Sequence, residues 1–263
     1  LLALAAPAEA RPLEGGESGA MVVPGHQRLL DEFPLTEAQK EIWLAGQMGG
    51  HAALAYNESL RLEFSGPLDI DVFRRAVHEV VRRHAMLSAS MSPDGERQRI
   101  NPSSPIELPF TDLSKASPEH RTHELENVIE EHVSQPFDLE TGPLLRVGIV
   151  RLSDDRHVVL WTAHHIICDG WSSGLLITEL GKVYSALKRG TSAELEEPAS
   201  FQAYAAVVQE DSPAVQSALD YWRREFRDLP PLLEFPADRP RPSVRSARAA
   251  TRKRRLDPSL QQA

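Results

Sequence analysis

The sequence predicts an α/β fold, an α+β sandwich of strands covered by helices, and three segments carry this prediction. Val158–Ala163 is a short β-branched and aromatic run, typical of a strand buried on both faces. Ser59–Phe64 alternates polar and apolar residues, which indicates a half-buried strand. Asp69–His84 repeats apolar residues at spacings of three and four, which indicates an amphipathic helix. Strand and helix patterns are therefore interleaved along the chain.

Composition restricts the class of protein. The chain has 263 residues, 41% hydrophobic and 25% charged, which is a globular balance, and its net charge of −9 disfavours nucleic-acid binding. A single cysteine, Cys168, excludes an internal disulfide and fits a reducing cytoplasm. No segment has the roughly 18 successive apolar residues of a membrane helix, so we expect a soluble protein without a membrane partner.

The ends of the chain differ in composition from its middle. Residues 1–32 are rich in Ala, Pro, Gly and Glu and lack periodicity, so we expect an interdomain linker there. Because the chain begins without Met, we expect a piece of a longer polypeptide. Structure should begin near Phe33.

Helix and turn signals place the elements of the first half. Thr36 and Gln39 form a capping box, which predicts a helix through Gln47. The strand and the helix described above follow it. Two more strands and the turn joining them are predicted at Leu87–Met91, Gln98–Ile100 and Pro93–Gly95.

The second half repeats the same two kinds of pattern. Leu144–Leu152 alternates as a strand, and Asp154-Asp155 turns it into the strand that ends at His164. A loop is expected at 191–199, and a proline-rich extended segment follows the last clear helix. Helices are predicted at Pro118–Val133, Trp171–Leu187, Phe201–Glu210 and Val215–Phe226, and a further strand at Thr251–Leu256.

The most informative stretch is His164-His165, four residues before Asp169-Gly170, at a strand end that turns into a helix. An imidazole, with an ordinary pKa of about 6.5, can accept a proton near neutral pH. Asp169 can either orient a ring or hold the turn, and Gly170 permits close backbone approach and unusual dihedrals. The helix N-terminus offers N–H groups to a developing oxyanion. These parts together favour acyl-transfer chemistry.

Two other interpretations compete with a catalytic histidine pair, and a third function is suggested by a separate basic stretch. A histidine in an apolar strand is often a core residue, and neighbours in a strand face opposite sides, so the two histidines must differ in role. A zinc site would have only Cys168 and Asp169 as nearby additional ligands, and we expect no metal. The basic stretch Arg239–Arg255 fits a solvated ribbon better than a nucleic-acid patch, because prolines interrupt it.

The stretch from His164 to Ser172 resembles the HHxxxDG signature of condensation domains from nonribosomal peptide synthetases. That signature is shared with acyltransferases of the chloramphenicol acetyltransferase type, but the ordered set of motifs is more specific. Four further segments resemble that family's motifs in order: Leu35–Trp43, Arg82–Leu87, Ser200–Ala205, and Tyr221-Trp222 followed by Phe235–Pro242.

The resemblance implies a fold of two chloramphenicol-acetyltransferase-like lobes, each a mixed sheet flanked by helices. On this basis residues 33–228 are the N-terminal lobe, and 229–263 are a proline-rich strap and the truncated start of the second lobe. The family joins an acyl thioester on an upstream carrier to the amine of an aminoacyl thioester on a downstream carrier. The fragment alone is expected to be inactive without its C-terminal lobe.

The resemblance also implies partners and cofactors. No cofactor is bound directly, because the substrates ride on the 4′-phosphopantetheine of carrier proteins. The expected partners are an upstream acyl or peptidyl carrier domain and downstream peptidyl carrier and adenylation domains. The upstream module makes either peptide or polyketide.

Site residues follow by position in the motifs. His165 would be catalytic, with His164 as its packing and positioning partner, Asp169 as a structural residue and Gly170 beside the thioester. Trp171 would contact substrate. The second motif departs from the family, since Ala85 replaces an acid and Ser88 an arginine that normally pairs with the motif Asp. Either Arg83 supplies that pairing or the pairing is absent. Ser88 then reflects either drift at a tolerant strand position or weakened activity.

The role of His165 depends on the acceptor. An α-amine with a pKa near ~7.7 is already largely available, so we expect His165 to position it and accept its proton as the tetrahedral intermediate forms. Two alternatives stay open. One is an acyltransferase of the same superfamily with a soluble acyl donor and an alcohol acceptor, and the other is a non-catalytic lobe that docks carriers.

Overall fold

A computed structural model describes residues 32–49, 51–102, 106–209 and 212–231, with the single positions 236, 240, 254, 256 and 257. The strands are β1 Glu32–Pro34, β2 Asn57–Ser65, β3 Ala89–Met91, β4 Arg97–Ile100, β5 Phe110–Asp112, β6 Leu145–Ser153 and β7 Arg156–His164. The helices are α1 Glu37–Gly46, α2 His51–Leu54, α3 Ile70–Arg83, α4 Pro118–Ser134, α5 Gly170–Arg189, α6 Phe201–Val207 and α7 Pro213–Glu225.

The main sheet has four strands in the order β2-β7-β6-β5. Strand β5 runs parallel to β6, whereas the other two pairings are antiparallel, so the sheet is mixed. A smaller antiparallel sheet has the order β1-β4-β3. This architecture confirms the predicted mixed sheet flanked by helices.

Strand β7 is central because both of its neighbours pair with it along most of its length. Its residues 157–164 are all buried, which confirms the strand predicted from the apolar run before His164. Asn57 pairs with His164 and Leu145 with Ala163, so three strands meet where the histidines stand.

Helices cover both faces of the main sheet. On one face α3 and α5 pack on Val159, Trp161 and Ala163 of β7. On the other face α4 packs through Leu125 on Val158 and Leu160, the residues between them. Alternation along β7 therefore separates two apolar layers, as a sheet between helices requires.

Several helix predictions hold at their boundaries, whereas α6 ends at Val207 and is shorter than the predicted Phe201–Glu210. The Thr36–Gln39 capping box is present, and Asp69 caps α3 by accepting a hydrogen bond from Val72 N. Helix α5 ends at Gly190, whose φ of 70° is the left-handed conformation that glycine adopts without a Cβ penalty. The sequence pattern and the chain geometry agree at these ends.

Two strand predictions need correction. The segment predicted as a strand from Leu87 to Met91 begins with a 3₁₀ turn, Ala85–Ser88, because only Ala89–Met91 has partners on β4. Strand β6 does not alternate cleanly, since Val147–Val150 are all buried. The reason is that β6 lies between β5 and β7 with helices on both faces.

Several other predictions lie outside the described residues. These are most of the linker at 1–32, Glu210, most of the strap and second-lobe segment at 229–263, and nearly all of the Thr251–Leu256 strand. Within the described part of the chain, no helix combines the length and apolarity needed to cross a membrane.

Candidate active site

The histidine pair lies where β7 leaves the main sheet. His164 N donates to Leu144 O at 2.9 Å, and His165 N donates to Tyr56 O at 2.8 Å. These bonds tie successive residues to strand partners on opposite sides of β7. The chain then turns, with Ile167 N donating to His164 O at 3.1 Å. The backbone of both histidines is therefore fixed before their side chains are considered.

His164 faces the protein interior and is 2% exposed. Its Nδ1 accepts a hydrogen bond from Ile166 N at 3.2 Å, which requires an unprotonated Nδ1. Burial, and then the neighbouring His165, lowers the pKa of His164 to about 4. The ring is therefore neutral at pH 7, where it shapes the turn rather than carrying charge.

His165 faces the opposite side and keeps 36% of its side-chain surface exposed. The Tyr56 ring lies nearly parallel to it, with 6.4 Å between centroids. Its Nδ1 is buried and lies 2.7 Å from Glu58 Oε1, although the carboxylate stands off the ring N–H direction. Of the two ring nitrogens, Nε2 is thus the one left toward the open side.

Asp169 holds the turn and caps helix α5. Its Oδ1 accepts hydrogen bonds from Ser172 N at 2.8 Å and Ser172 Oγ at 2.7 Å. These bonds, and more weakly the charge of His165, lower the pKa of the Asp169 carboxyl. Of the two roles open from sequence, the recorded contacts support holding the turn.

Gly170 begins α5 and is not among the glycines with positive φ, so it does not use the dihedral freedom that glycine permits. A Cβ built on Gly170 would meet no described atom within 4 Å. Trp171 is 88% exposed on the next position, and Leu175 is half exposed one turn later. This end of α5 presents open space and apolar surface beside His165, and substrate contact by Trp171 stays a prediction.

The predicted pairing of Arg83 with Asp169 is wrong. Arg83 Nε donates to Glu179 Oε2 at 3.1 Å, and His84 Nε2 lies 2.7 Å from the same oxygen. Glu179 is ten residues after Asp169 on α5, or about 15 Å along the helix axis. Since α3 packs against the middle of α5, its last arginine meets Glu179 and anchors the two helices together.

Gln39 supports the motif loop from α1, a role that its capping pattern did not reveal. Its Nε2 donates to Ile166 O at 2.9 Å and to Gln98 Oε1 at 3.0 Å, and Gln98 Nε2 donates back to Gln39 Oε1. All three groups are buried, so the paired amides satisfy each other and the loop carbonyl. The contact joins segments that lie far apart in the chain, so no local spacing in the sequence predicts it.

Glu58 is the second site residue that sequence reasoning missed. It follows Tyr56-Asn57 at the start of β2 and pairs with Ala163 in the register. A signal was available: in the alternation that continues at Leu60, Leu62 and Phe64, position 58 falls on the apolar face. A carboxylate on the apolar side of a strand needs a partner, and His165 is that partner.

The side chains near the histidine pair give little support to the zinc interpretation. Among the described residues, no three His, Cys, Asp or Glu side chains converge as a metal site would require. Burial raises the pKa of the Cys168 thiol to about 12. Because a thiolate is the zinc ligand, this buried thiol is a poor donor beside the histidines.

A groove of about 1090 Å³ lies between the β2 edge and the C-terminal half of α5. Its walls include Phe64, Phe73 and Tyr184, and none of the motif residues from His164 to Ser172. The groove is therefore separate from the strand end where the predicted site residues lie.

Buried histidines predict acid sensitivity. Burial lowers the pKa of His132 to about 4, as it does for His164. An unfolded histidine titrates near ~6.5, so stability is complete above that pH and is lost as pH falls toward 4. At pH 5 each ring is expected to cost about 2 kcal/mol.

Urea unfolding at pH 7.5 and pH 5.0 measures this loss as a lower midpoint at pH 5.0. His132→Asn should reduce the pH dependence, whereas a change at the exposed His123 should leave it intact. An equal midpoint at both pH values would contradict buried neutral rings.

A mixed sheet between helices, with an accessible histidine at a strand end beside a capped helix, defines a lobe of the HHxxxDG acyltransferase class. The chain belongs to the condensation-domain family, whose model matches residues 30–263. The histidine motif and the fold therefore lie in the matched region.

By sequence, this chain matches small parts of large synthetases. The chain is 37% identical over 235 residues to chondramide synthase cmdD of Chondromyces crocatus, covering 88% of this chain and 6% of that protein. It is 36% identical over 220 residues to phosphinothricin tripeptide synthetase PhsB of Streptomyces viridochromogenes, covering 82% and 18%. The chain thus spans a small fraction of each relative.

Solved structures agree on the fold. The starter condensation domain of rhizomide synthetase RzmA matches with a TM-score of 0.69 and 25% identity, over 76% of this chain and 49% of that chain. A variant of that domain in complex with C8-CoA and Leu-SNAC matches with a TM-score of 0.65 and 27% identity, over 75% and 46%. The chain spans about half the length of these solved domains.

Proposed function

We propose that this chain is the N-terminal lobe of a condensation domain that forms amide bonds in a nonribosomal peptide synthetase. The observation that carries the proposal is His165, an accessible imidazole on the fixed end of β7 beside the capped start of α5. Membership of the condensation-domain family supports it. The donor is an acyl thioester on an upstream carrier, and the acceptor is the amine of an aminoacyl thioester on a downstream carrier.

The reaction needs a proton acceptor at the attacking nitrogen. The amine attacks the thioester carbonyl, a C–N bond forms, and the nitrogen becomes acidic in the tetrahedral intermediate. His165 takes that proton through its open ring edge. Collapse of the intermediate breaks the C–S bond, and the departing carrier thiolate receives the proton from the His165 imidazolium and leaves as the thiol. Because His164 is neutral and buried, it maintains the turn and adds no competing charge.

The start of α5 offers electrostatic help. Ser172 N already donates a hydrogen bond to Asp169 Oδ1, and the next amide, Ser173 N, donates to the backbone carbonyl of Asp169. The N–H groups of Gly170 and Trp171 precede the first intrahelical bond and are therefore available to a developing oxyanion. The open space at Gly170 admits a thioester to this point, and the exposed Trp171 lines the approach.

The partners and boundaries belong to the same proposal. Residues 1–32 link to a preceding module, 33–228 form the lobe, and 229–263 lead into a second lobe. Carrier domains deliver both substrates on 4′-phosphopantetheine in the cytoplasm, an adenylation domain supplies the acceptor, and the lobe binds no cofactor of its own. The match to a variant of the rhizomide synthetase starter condensation domain in complex with C8-CoA and Leu-SNAC supports this pairing of substrates.

The acceptor distinguishes the competing functions. We offer the complete parent synthetase an acylated upstream carrier together with a downstream carrier bearing either an amino acid or its α-hydroxy analogue. The proposal predicts amide product on the first carrier and little ester on the second. Preferred ester formation, or preferred use of a free acyl coenzyme A and an alcohol, would support the alternative of an acyltransferase with an alcohol acceptor. The absence of product with either acceptor would support the carrier-docking lobe. Residues 1–263 alone should give no product.

A further inference from the structure

We propose that Glu58 is a positioning residue for His165, holding the imidazole in place and stabilising it when it carries the substrate's proton. This inference rests on the proposed function, because it concerns the same histidine. It adds a side chain from β2, outside the motif that contains the histidines. The carboxylate acts through His165 and does not itself touch the reacting atoms.

Strand register places the two side chains together. Glu58 pairs with Ala163 across the β2–β7 ladder, and residues directly opposite in an antiparallel pair share one face of the sheet. His165 is two residues beyond Ala163, so its side chain returns to that face. The bond from His165 N to Tyr56 O continues the ladder beyond β7 and fixes this register.

The contact has the distance of an acid–histidine pair and involves the ring nitrogen that faces away from the open side. Glu58 Oε1 lies 2.7 Å from Nδ1, the buried nitrogen, which leaves Nε2 toward the open side where a substrate amine would arrive. The oxygen stands off the N–H direction, as is common before an active site closes on its substrates. The Tyr56 ring lies nearly parallel to the imidazole on this side, with 6.4 Å between centroids.

Within the described part of the chain, the contacts of His165 include few charged groups and no competing cation. From β7 comes His164, which is neutral; from the α5 start comes Asp169, whose carboxylate is held by Ser172. The Cys168 thiol stays protonated, and its pKa is raised by burial and further by Glu58. Tyr56 contributes a neutral ring. Glu58 is thus the carboxylate in direct contact with the ring.

A surface carboxylate without function would look different. Glu63, on the same strand, is more exposed and pairs with Arg61 at 2.7 Å, a short-range surface ion pair. Glu58 keeps 32% of its side-chain surface and points its carboxylate at a histidine. As the imidazole takes up a proton, this carboxylate gains an ion pair, and the gain occurs during the transfer step rather than in substrate binding.

The test uses Glu58→Gln in the complete parent synthetase with both carriers loaded. Glutamine keeps the size and an acceptor oxygen but removes the charge. We expect kcat for condensation to fall roughly tenfold or more, KM for the loaded acceptor carrier to change little, and the acidic limb of the pH–rate profile to move to lower pH. Glu58→Asp should retain part of the rate, and the matched control Glu63→Gln should retain all of it.

A double-mutant cycle separates positioning from simple damage. If Glu58 acts through His165, then Glu58→Gln should cost nothing further in a His165→Ala background. Equal losses in both backgrounds, or an unchanged pH profile with normal kcat, would overturn the inference. If Glu58→Gln alters the melting temperature, that same cycle still decides, because a folding defect would persist without the imidazole. If the His165→Ala enzyme condenses at a normal rate, both the proposed function of His165 and this inference fail. If His165→Ala is slow but Glu58→Gln is normal, only this inference fails.

Discussion

Replacing His165 with alanine in the complete synthetase is expected to slow amide formation by roughly 10² to 10⁴, the range for loss of a positioned acid or base. The physical reason is that the ammonium formed on attack loses its acceptor at the open edge of the ring. A single-turnover assay with preloaded carriers, quenched in time and resolved by mass spectrometry, measures the loss directly, because carrier loading and product release do not limit it.

The control is His123→Ala, which removes an exposed histidine from α4, on the other face of the sheet. It should condense at the wild-type rate. A His165→Ala enzyme within a few-fold of wild type would show that the ring only packs near the substrates and would leave the carrier-docking alternative as the better account.

The largest expected effect on folding is at Phe73. Its ring is 1% exposed and contacts Phe64 of β2 edge-to-face at 5.9 Å and Tyr184 of α5 at 6.1 Å. Phe73→Ala should lower the free energy of unfolding by about 3–5 kcal/mol, from lost burial and from the cavity left behind. Equilibrium urea unfolding of residues 1–263 at pH 7.5 measures this loss.

The matched control is Phe226→Ala at the end of α7, where the ring is 52% exposed. Its cost should stay within about 1 kcal/mol, since little area leaves water there. Equal losses at the two positions would contradict a core centred between α3, α5 and β2. Glu58 lies on β2, and Asp169 caps the start of α5. Destabilising this core should therefore also loosen the site.

Periodicity predicted the elements that form the site, for a physical reason. Strand β7 is buried on both faces and α5 carries one apolar stripe, so each of these two elements has a local pattern that reveals its burial. The capping box of α1 and the glycine after α5 are local as well, and the structure contains both. The histidine pair could thus be placed at a strand end before a helix from sequence alone.

The partners of those residues could not be predicted in the same way. Arg83 was expected beside Asp169, but the packing of α3 on α5 brings it to Glu179. Glu58 and Gln39 reach the motif through strand pairing and loop packing between segments far apart in the chain. Such contacts depend on register and on packing, and a single sequence encodes neither in its spacing.

Tertiary context also gives Ser88 a local role at the position where the family resemblance implies an arginine. Ser88 is buried in the 3₁₀ turn, and its carbonyl accepts a hydrogen bond from Asn101 N at 2.8 Å. Asp169 meanwhile caps α5 with Ser172 and keeps its charge without an arginine contact at that position. A serine at position 88 and a motif Asp169 without an arginine partner are therefore compatible with each other.

The most direct test of amide formation at His165 is the intact mass of the downstream carrier after one turnover. The account predicts that the wild-type synthetase moves the whole donor acyl group onto the acceptor carrier as a hydrolysis-resistant amide. With His165→Ala, the acyl group should remain on the upstream carrier over the same time. An acyl group that transfers equally fast without the imidazole, or that arrives as a base-labile ester, would contradict the account.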